Sequence, residues 1–297
     1  MIPVFFIATF LIFIIIRVLP GDPIQAQFGE RRIPDNLREA YIDQYNLDES
    51  LPMQYVLYMK DLLTGDFGTS IANQQSINDM FKERLPRSLR LASLVIFFET
   101  IIGIPVGVWA ARHRDSFIDN GILVVTLAVL AMPVFLLAVL AQLYFGLKWG
   151  LFPISGIEDG WMSYLLPAVV VAVSSIAINI RVVRATLIET FREDYIRTAR
   201  AKGANSRRVL GIHALRNSLI PIVTILGVRF GSMIGGLLVT ESIFNIPGLG
   251  FTIVSAIPQR DNTIIIGFSI FLVMAYMLIN FLVDLLYAWL DPRIRYD

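Results

Sequence analysis

Six stretches of the chain are apolar almost without interruption: Ile2 to Leu19, Leu91 to Ala111, Gly121 to Phe145, Leu165 to Val183, Leu219 to Val239 and Thr263 to Leu290. A helix needs about 20 such residues to cross a bilayer, so each reads as a transmembrane span, the first of them short. Polar and apolar positions alternate differently in residues 20–90. Pro20-Gly21-Asp22-Pro23 is a turn that ends span one. Pro34 and Asp35 open a helical pattern with apolar positions at Leu37, Tyr41 and Tyr45. A second pattern runs from Pro52 through Tyr55, Val56, Met59 and Leu63, and Gly65 stops it. The expected fold is all-α and integral to the membrane. Residues 1–19 form the first transmembrane helix, 20–90 a helical segment outside the membrane, and 91–297 a five-helix core that includes a polar loop at 185–215.

That loop is the longest polar interruption in the second half of the chain. From Glu189 to Arg216 it carries seven Lys or Arg against three acids, and small residues (Thr198, Ala199, Ala201, Gly203, Ala204) stand among the charges. Span four is expected to continue into the loop as helix, with Ile188, Phe191, Tyr195 and Ala199 on one face. Gly203 follows Lys202, where a glycine at C′ after a cationic last turn is expected. Asn205 or Ser206 then caps a second helix with apolar positions Val209, Ile212 and Leu215. The result is helix, glycine turn, helix, with a narrow tip flanked by Arg197, Arg200, Lys202, Arg207 and Arg208. Lipid headgroups would account for the charge alone. They would not require the small residues, which suit a helix pressed against another surface.

A second irregular stretch, Glu241 to Asp261, is apolar yet broken by Pro247, Gly248 and Gly250. Phe251 to Ile257 is too short to cross the bilayer, and non-helical backbone at membrane depth is tolerated only where protein or a water cavity satisfies it. The expectation is a re-entrant hairpin lining a vestibule, with Glu241, Phe244, Pro247, Gly248 and Gly250 as its candidate residues. Pro105, Pro133 and Pro221 interrupt spans two, three and five, and Gly231-x-x-x-Gly235 offers a close-packing face.

Composition agrees with the pattern: 297 residues, 56% hydrophobic, 16% charged, with a mean hydropathy of +0.65. Soluble domains carry about 25% charge. The charge distribution gives the orientation. The 181–216 region holds nine Lys or Arg, the 112–120 loop two and the tail after Leu290 two, against Lys148 and Arg260 alone in the opposite loops. Both termini and the 181–216 loop are therefore expected in the cytoplasm and residues 20–90 outside. The apolar N-terminus lacks a basic region and a cleavage site, so it reads as a retained span.

Cysteine is absent and only His113 and His213 are present, which excludes disulfides, thiolate metal sites and a histidine-based metal centre. No G-x-x-x-x-G-K-[ST] phosphate loop occurs, so ATP is not bound here by that route. Four ionisable residues fall within spans: Arg17 and Asp284 near span ends, where snorkelling or interfacial pairing is expected, and Glu99 and Arg229 deeper. A charge at the bilayer centre costs roughly 2.5–3.5 kcal/mol on insertion scales. The deeper two therefore form either a structural ion pair or part of a solute path.

Several stretches resemble binding-protein-dependent ABC importer permeases of the dipeptide/oligopeptide branch. The loop is similar to that family's cytoplasmic EAA loop, with Arg197-Thr198-Ala199, Gly203 and His213-Ala214-Leu215-Arg216 at the matching positions. Only Ala199, Gly203 and Leu215 fit the general pattern; TARAKG and HALRN look like the peptide branch. Pro20-Gly21-Asp22-Pro23, Gly65-Asp66-Phe67-Gly68-Thr69-Ser70, Glu241-Ser242-Ile243-Phe244 and Pro247-Gly248-Leu249-Gly250 are also similar, in the same order. The resemblance implies a non-catalytic translocation subunit in a bacterial inner membrane. It implies a homologous second permease, two cytoplasmic ATPase subunits that bind the ATP and Mg, and an extracytoplasmic substrate-binding protein; lipid surrounds it, and nucleic acid has no part. Arg197, Thr198, Ala199, Arg200, Ala201, Lys202, Gly203 and Ala204 would be the coupling helix and its turn, seated in an ATPase cleft. Steric fit at Ala199 and Gly203 would matter more than any one charge. The solute would be a peptide; relatives also carry nickel or glutathione. A secondary transporter, which would show an inverted repeat, and a structural scaffold are the competing classes.

Overall fold

The computed structural model describes residues 2–18, 22–28, 33–215, 218, 222–223, 226–227, 229–231, 233 and 237–290. Pro20 and Gly21, Arg216, Pro221, Gly235 and Gly236, and span five as a continuous element, lie outside the described residues. The described residues are helical throughout apart from connections and one isolated bridge between Thr69 and Ser76.

The chain begins with α1 (Ile2–Val18), α2 (Pro23–Phe28), α3 (Asp35–Tyr45) and α4 (Leu51–Leu63). The last two follow the expected patterns within a residue or two, and Gly65 ends the second at φ +85°. α5 (Ile77–Arg112) is one continuous helix of 36 residues, about 54 Å long at 1.5 Å per residue. Its first turns therefore belong to the stretch the sequence places before span two. Pro86 and Pro105 both lie inside it.

Span three is interrupted at Pro133 as the sequence predicts, and the interruption is a sharp bend. α6 (Phe117–Leu130) and α7 (Val134–Ala141), which continues as a π-helix over Gln142–Lys148, meet at 93°. Pro133 is the cause: it offers no amide to α6 and holds an extended backbone (φ −60°, ψ 138°), and its carbonyl restarts the helix by accepting from Leu136 and Leu137. α8 (Met162–Thr190), α9 (Asp194–Ala201) and α10 (Ser206–Arg208) follow, the last passing into a second π-helix over Val209–Ala214. The chain ends with α11 (Leu238–Ile243), α12 (Leu249–Gln259) and α13 (Asn262–Leu290). Among the described residues α5, α8 and α13 are long and apolar enough to cross a membrane, and the bent α6–α7 pair passes the same test as one broken span. At 17 residues α1 reaches about 26 Å, short of the roughly 30 Å hydrocarbon core.

The centre of the fold is the α5–α8 seam. Gly103 and Gly107 lie on α5 four residues apart; a Cβ on Gly107 would come within 2.7 Å of Val183, and one on Gly103 within 3.0 Å of Asn179. Missing side chains let the two backbones close, so Leu91, Ala92 and Val95 of α5 bury against Leu166, Ala168, Val170 and Ala172 of α8. α1 packs beside α4 and α13 through Phe13, Ile16, Met59, Leu62, Ile266 and Ile270. Asp261 joins the ends of this arrangement. It caps α13 by accepting from the Ile264 amide (3.2 Å), and its other oxygen accepts from Ser70 Oγ (2.5 Å) and the Ala72 amide (3.0 Å).

Candidate functional site

At the polar loop the expectation of a helix running unbroken from span four is not met. α8 stops at Thr190, residues 191–193 turn, and α9 starts afresh at Asp194. The new helix turns Ile196 and Ala199 inward, onto Val183, Leu187, Val209, Ala214 and Ile222. Tyr195, placed on the apolar face by the sequence, is instead exposed. Ala199 is thus part of the packing beneath the tip, while Arg197, Thr198, Arg200, Ala201, Lys202 and Gly203 are exposed and Ala204 is half-buried.

The turn after α9 matches the expectation closely. The Gly203 amide donates to Arg200 O (2.9 Å) and the Ala204 amide to Ala199 O (3.1 Å), the paired bonds of a Schellman C-cap. Gly203 takes φ +85°, which an L side chain adopts only with strain, yet a Cβ there would touch nothing within 4 Å. The next helix is capped by Asn205, whose Oδ1 accepts from the Arg208 amide at 2.8 Å. Its buried face is Val209 and Ala214, five residues apart, and Ile212 is exposed. The π-helical winding explains the change: an i→i+5 repeat carries the apolar stripe past the positions a 3.6-residue period selects.

One anchor of this loop was not foreseen. Asp119, fully buried at the start of α6, holds Arg184 of α8 with two bonds, to Nε (2.5 Å) and to NH2 (2.6 Å). The Asp115 amide donates to the same carboxylate (2.9 Å). The pair pins the 112–120 connection against α8 six residues before that helix ends. Partners 65 residues apart leave no local signal in a sequence; the only hint was an aspartate in a short basic loop.

The second irregular stretch is organised by Glu241. Its Oε1 accepts from Ser88 Oγ of α5 (2.5 Å), and its Oε2 accepts from the Gly250 (2.8 Å) and Phe251 (3.1 Å) amides, the first turn of α12. Ser88 Oγ in turn accepts from the Leu249 amide (2.8 Å). A buried carboxylate thereby satisfies the open N-terminus of a helix that begins inside protein. Glycine is required on both sides of it. A Cβ on Gly248 would stand 2.4 Å from Glu241 Oε1 and 2.5 Å from Ser88 Oγ, and one on Gly250 2.4 Å from Leu238 Cα.

Gly250 is therefore a close-contact residue within α12 and not a break; the break is 244–248. Four of its five carbonyls have named donors: Phe244 O the Gly156 amide (2.9 Å), Ile246 O the Gly248 amide (2.7 Å), Pro247 O Arg87 NH1 (3.2 Å) and Gly248 O Thr252 Oγ1 (2.6 Å), while the preceding Ile243 O accepts from Gln142 Nε2 (3.0 Å). Phe244 and Ile246 are buried in the main core.

Glu99 and Arg229 meet. Arg229 NH1 stands 3.5 Å from Glu99 Oε1, with Glu99 buried and a quarter of the Arg229 side chain exposed. Asn179 of α8 donates to the Glu99 carbonyl at 3.3 Å, so the pair lies on the α5–α8 seam. The structure brings these two together, but keeps the polar loop and the Glu241 node at separate places along α5 and α8. Among the described residues no group of three or more His, Cys, Asp or Glu could hold a metal ion.

Such a bundle, with a short capped helix in one loop and a broken helix held by a buried acid in another, is that of an all-α membrane protein. The family model for the binding-protein-dependent transport system inner membrane component matches residues 103–296, and the model for the N-terminal part of such membrane components matches residues 1–92. The chain belongs to this family. It is 35% identical to the di/tripeptide transport system permease protein DppB of Pseudomonas aeruginosa (strain UCBPP-PA14), covering 100% of this chain and 96% of that protein. The dipeptide transport system permease protein DppB of Bacillus subtilis (strain 168) is 38% identical, over 97% of this chain and 93% of its own length. Among solved structures, an inward-facing form of the MetNI methionine ABC transporter shares the fold with a TM-score of 0.58 at 18% identity, covering 71% of this chain and 96% of that one.

Proposed function

We propose that this chain is one of two permease halves through which short peptides, released by an extracytoplasmic binding protein, enter the cell on ATP hydrolysis by two separate ATPase subunits. The observation that carries the peptide assignment is end-to-end similarity, at 33–38% identity, to permeases named for dipeptide transport. The exposed face of α9 and its glycine turn, Arg197 to Ala204, is the docking element for one ATPase. Its outer residues are exposed, and a Cβ on Gly203 would meet nothing within 4 Å, which suits insertion into a cleft. Ala199 supports the element from beneath. The chain crosses the inner membrane six times with both termini in the cytoplasm, α1, the bent α6–α7 pair and span five joining the three long helices. The α11–α12 break with Glu241, Phe244, Pro247, Gly248 and Gly250 forms the outer vestibule, and closure of the ATPases swings the bundle between two packings.

The test is ATP-dependent uptake of labelled dialanine in vesicles containing the complete complex and its binding protein. Uptake that needs this chain, ATP and the ATPases is expected. Uptake that persists without ATP or the ATPases would show a secondary transporter instead. Cysteine accessibility at positions 115, 203 and 260 checks the orientation: the first two are expected to be reached from the cytoplasm and the third from outside.

A further inference from the structure

Nine buried side-chain polar atoms among the described residues lack a hydrogen-bond partner. Four of them belong to residues lining one cavity: Arg17 Nε, Gln54 Oε1, Tyr58 OH and Thr263 Oγ1. The cavity, about 280 Å³, lies between α1, the end of α3, α4, the turn at 66–69 and the start of α13. Gln54 is only 7% exposed, and its Nε2 is already used on Glu49 O (2.8 Å), which leaves its oxygen for a donor from elsewhere. A buried polar group is costly unless it is answered, and four such groups facing one space offer a ligand both donors and acceptors. A single structural water needs roughly 10–15 Å³, so the space is large enough for a small polar molecule.

The charges say what kind of occupant. Arg17 has its guanidinium 5.5 Å from the Phe13 ring, and among the described residues no carboxylate lies within 4.0 Å of it. Asp61 and Asp66 also line the cavity and are exposed, so they form its open side. Burial, with Asp66 nearby, pushes the Tyr58 hydroxyl up, so it remains a neutral donor. A simple anion would be repelled by the two acids at the rim and a simple cation by Arg17. A molecule carrying both charges meets both.

We propose that this cavity binds a small zwitterion, its anionic group at Arg17 and Tyr58 and its primary ammonium at Asp61 and Asp66. Two sources share that chemistry: a short peptide with free termini, and the headgroup of phosphatidylethanolamine, since the cavity opens beside the end of a membrane helix. The peptide source takes its chemistry from the function proposed above; the site itself does not depend on it.

The experiment uses the complex of permeases and ATPases without its binding protein, in nanodiscs of phosphatidylglycerol alone, titrated with dialanine by calorimetry. Saturable binding that weakens at least tenfold for N-acetyl-dialanine, for dialaninamide and in Arg17→Met is expected for the peptide source; Met keeps the stem over Phe13 and removes the charge. About one phosphatidylethanolamine per chain retained from native membranes by wild type and lost in Arg17→Met identifies the lipid source. Tyr58→Phe, which keeps the ring and the fold, is expected to lower occupancy three- to tenfold in either case. Neither ligand binding, or binding unchanged in Arg17→Met and Tyr58→Phe, overturns the proposal. Dialanine uptake by the complete system is scored separately, so uptake without binding refutes this site and leaves the import function standing.

Discussion

Replacing Gly248 with alanine adds one methyl group at the tightest point of the broken helix. The new Cβ would lie 2.4 Å from Glu241 Oε1, 2.5 Å from Glu241 Cδ and 2.5 Å from Ser88 Oγ, and real Cβ atoms do not approach so closely. The carboxylate has to retreat. Doing so gives up the Ser88 bond and stretches the two to the Gly250 and Phe251 amides. A hydrogen bond to a charged group is worth about 1.5–3 kcal/mol, and overpacking adds about 1–3 kcal/mol, so the expected cost is about 3–5 kcal/mol. Gly248 has φ −101°, where alanine is unstrained, so backbone conformation contributes nothing to that figure. The decisive comparison is the same substitution on a Glu241→Ala background. Two of the three obstructing atoms are then gone and Ser88 is free to rotate, so Gly248→Ala should cost under about 1 kcal/mol and show a coupling energy above about 2 kcal/mol. Thermal unfolding of the purified complex reads the difference; at roughly 2–4 °C per kcal/mol, the single substitution should lower the midpoint by about 10 °C. If Gly248→Ala is equally harmful with and without the Glu241 carboxylate, the carboxylate is not what organises the break.

Three further substitutions test the remaining parts. Gly203→Trp should leave the permease inserted and folded, since nothing lies within 4 Å of a Cβ there and the left-handed turn costs about 1–2 kcal/mol. It should nevertheless weaken ATPase co-purification, and wild-type co-purification and uptake would sink the docking role. Asp119→Ala leaves Arg184 without its two-pronged partner; the cost should fall at the low end of roughly 3–5 kcal/mol, because 19% of the Arg184 side chain already meets solvent. An unchanged melting temperature would refute the anchor. Glu99→Arg with Arg229→Glu should recover part of the stability lost in either single change if the pair is structural, and a double swap no better than its singles would show that it is not.

What could be read in the sequence was what short-range rules determine. The bounds of α3 and α4 followed from apolar spacing, and the cap at Gly203 and Asn205 from the residue types that left-handed turns and N-caps select. Pairings across long separations were not legible. Ser88 and Glu241 are 153 residues apart and Asp119 and Arg184 65 apart, and nothing local to either residue names its partner. Two misreadings have specific causes. The loop after Asn205 was indexed on a 3.6-residue period that its π-helix does not obey. Gly103-Ile-Pro-Val-Gly107 has the same spacing as Gly231 and Gly235, yet Pro105 at its centre marks it as an interruption, whereas α5 continues through it as one helix. Pro133 did bend its span, because the residues around it leave the helical backbone and let the next helix restart at 93°.

The closeness of α5 and α8 has a mechanical consequence. With glycines at 103 and 107 the α5 backbone lies directly on the Asn179 and Val183 side chains of α8, so the two helices have little room to shear and form a single beam. One end of that beam carries Ser88 and the Glu241 carboxylate; the other carries Arg184 and, three residues past its end, α9. Under the docking role proposed for α9, a push there would reach the distant end as tilt, with little lost to internal slip. Widening the seam, for instance with Gly107→Leu, would soften the beam. With α9 docked as proposed, such a variant would still hydrolyse ATP with its ATPases, and the beam would flex instead of turning.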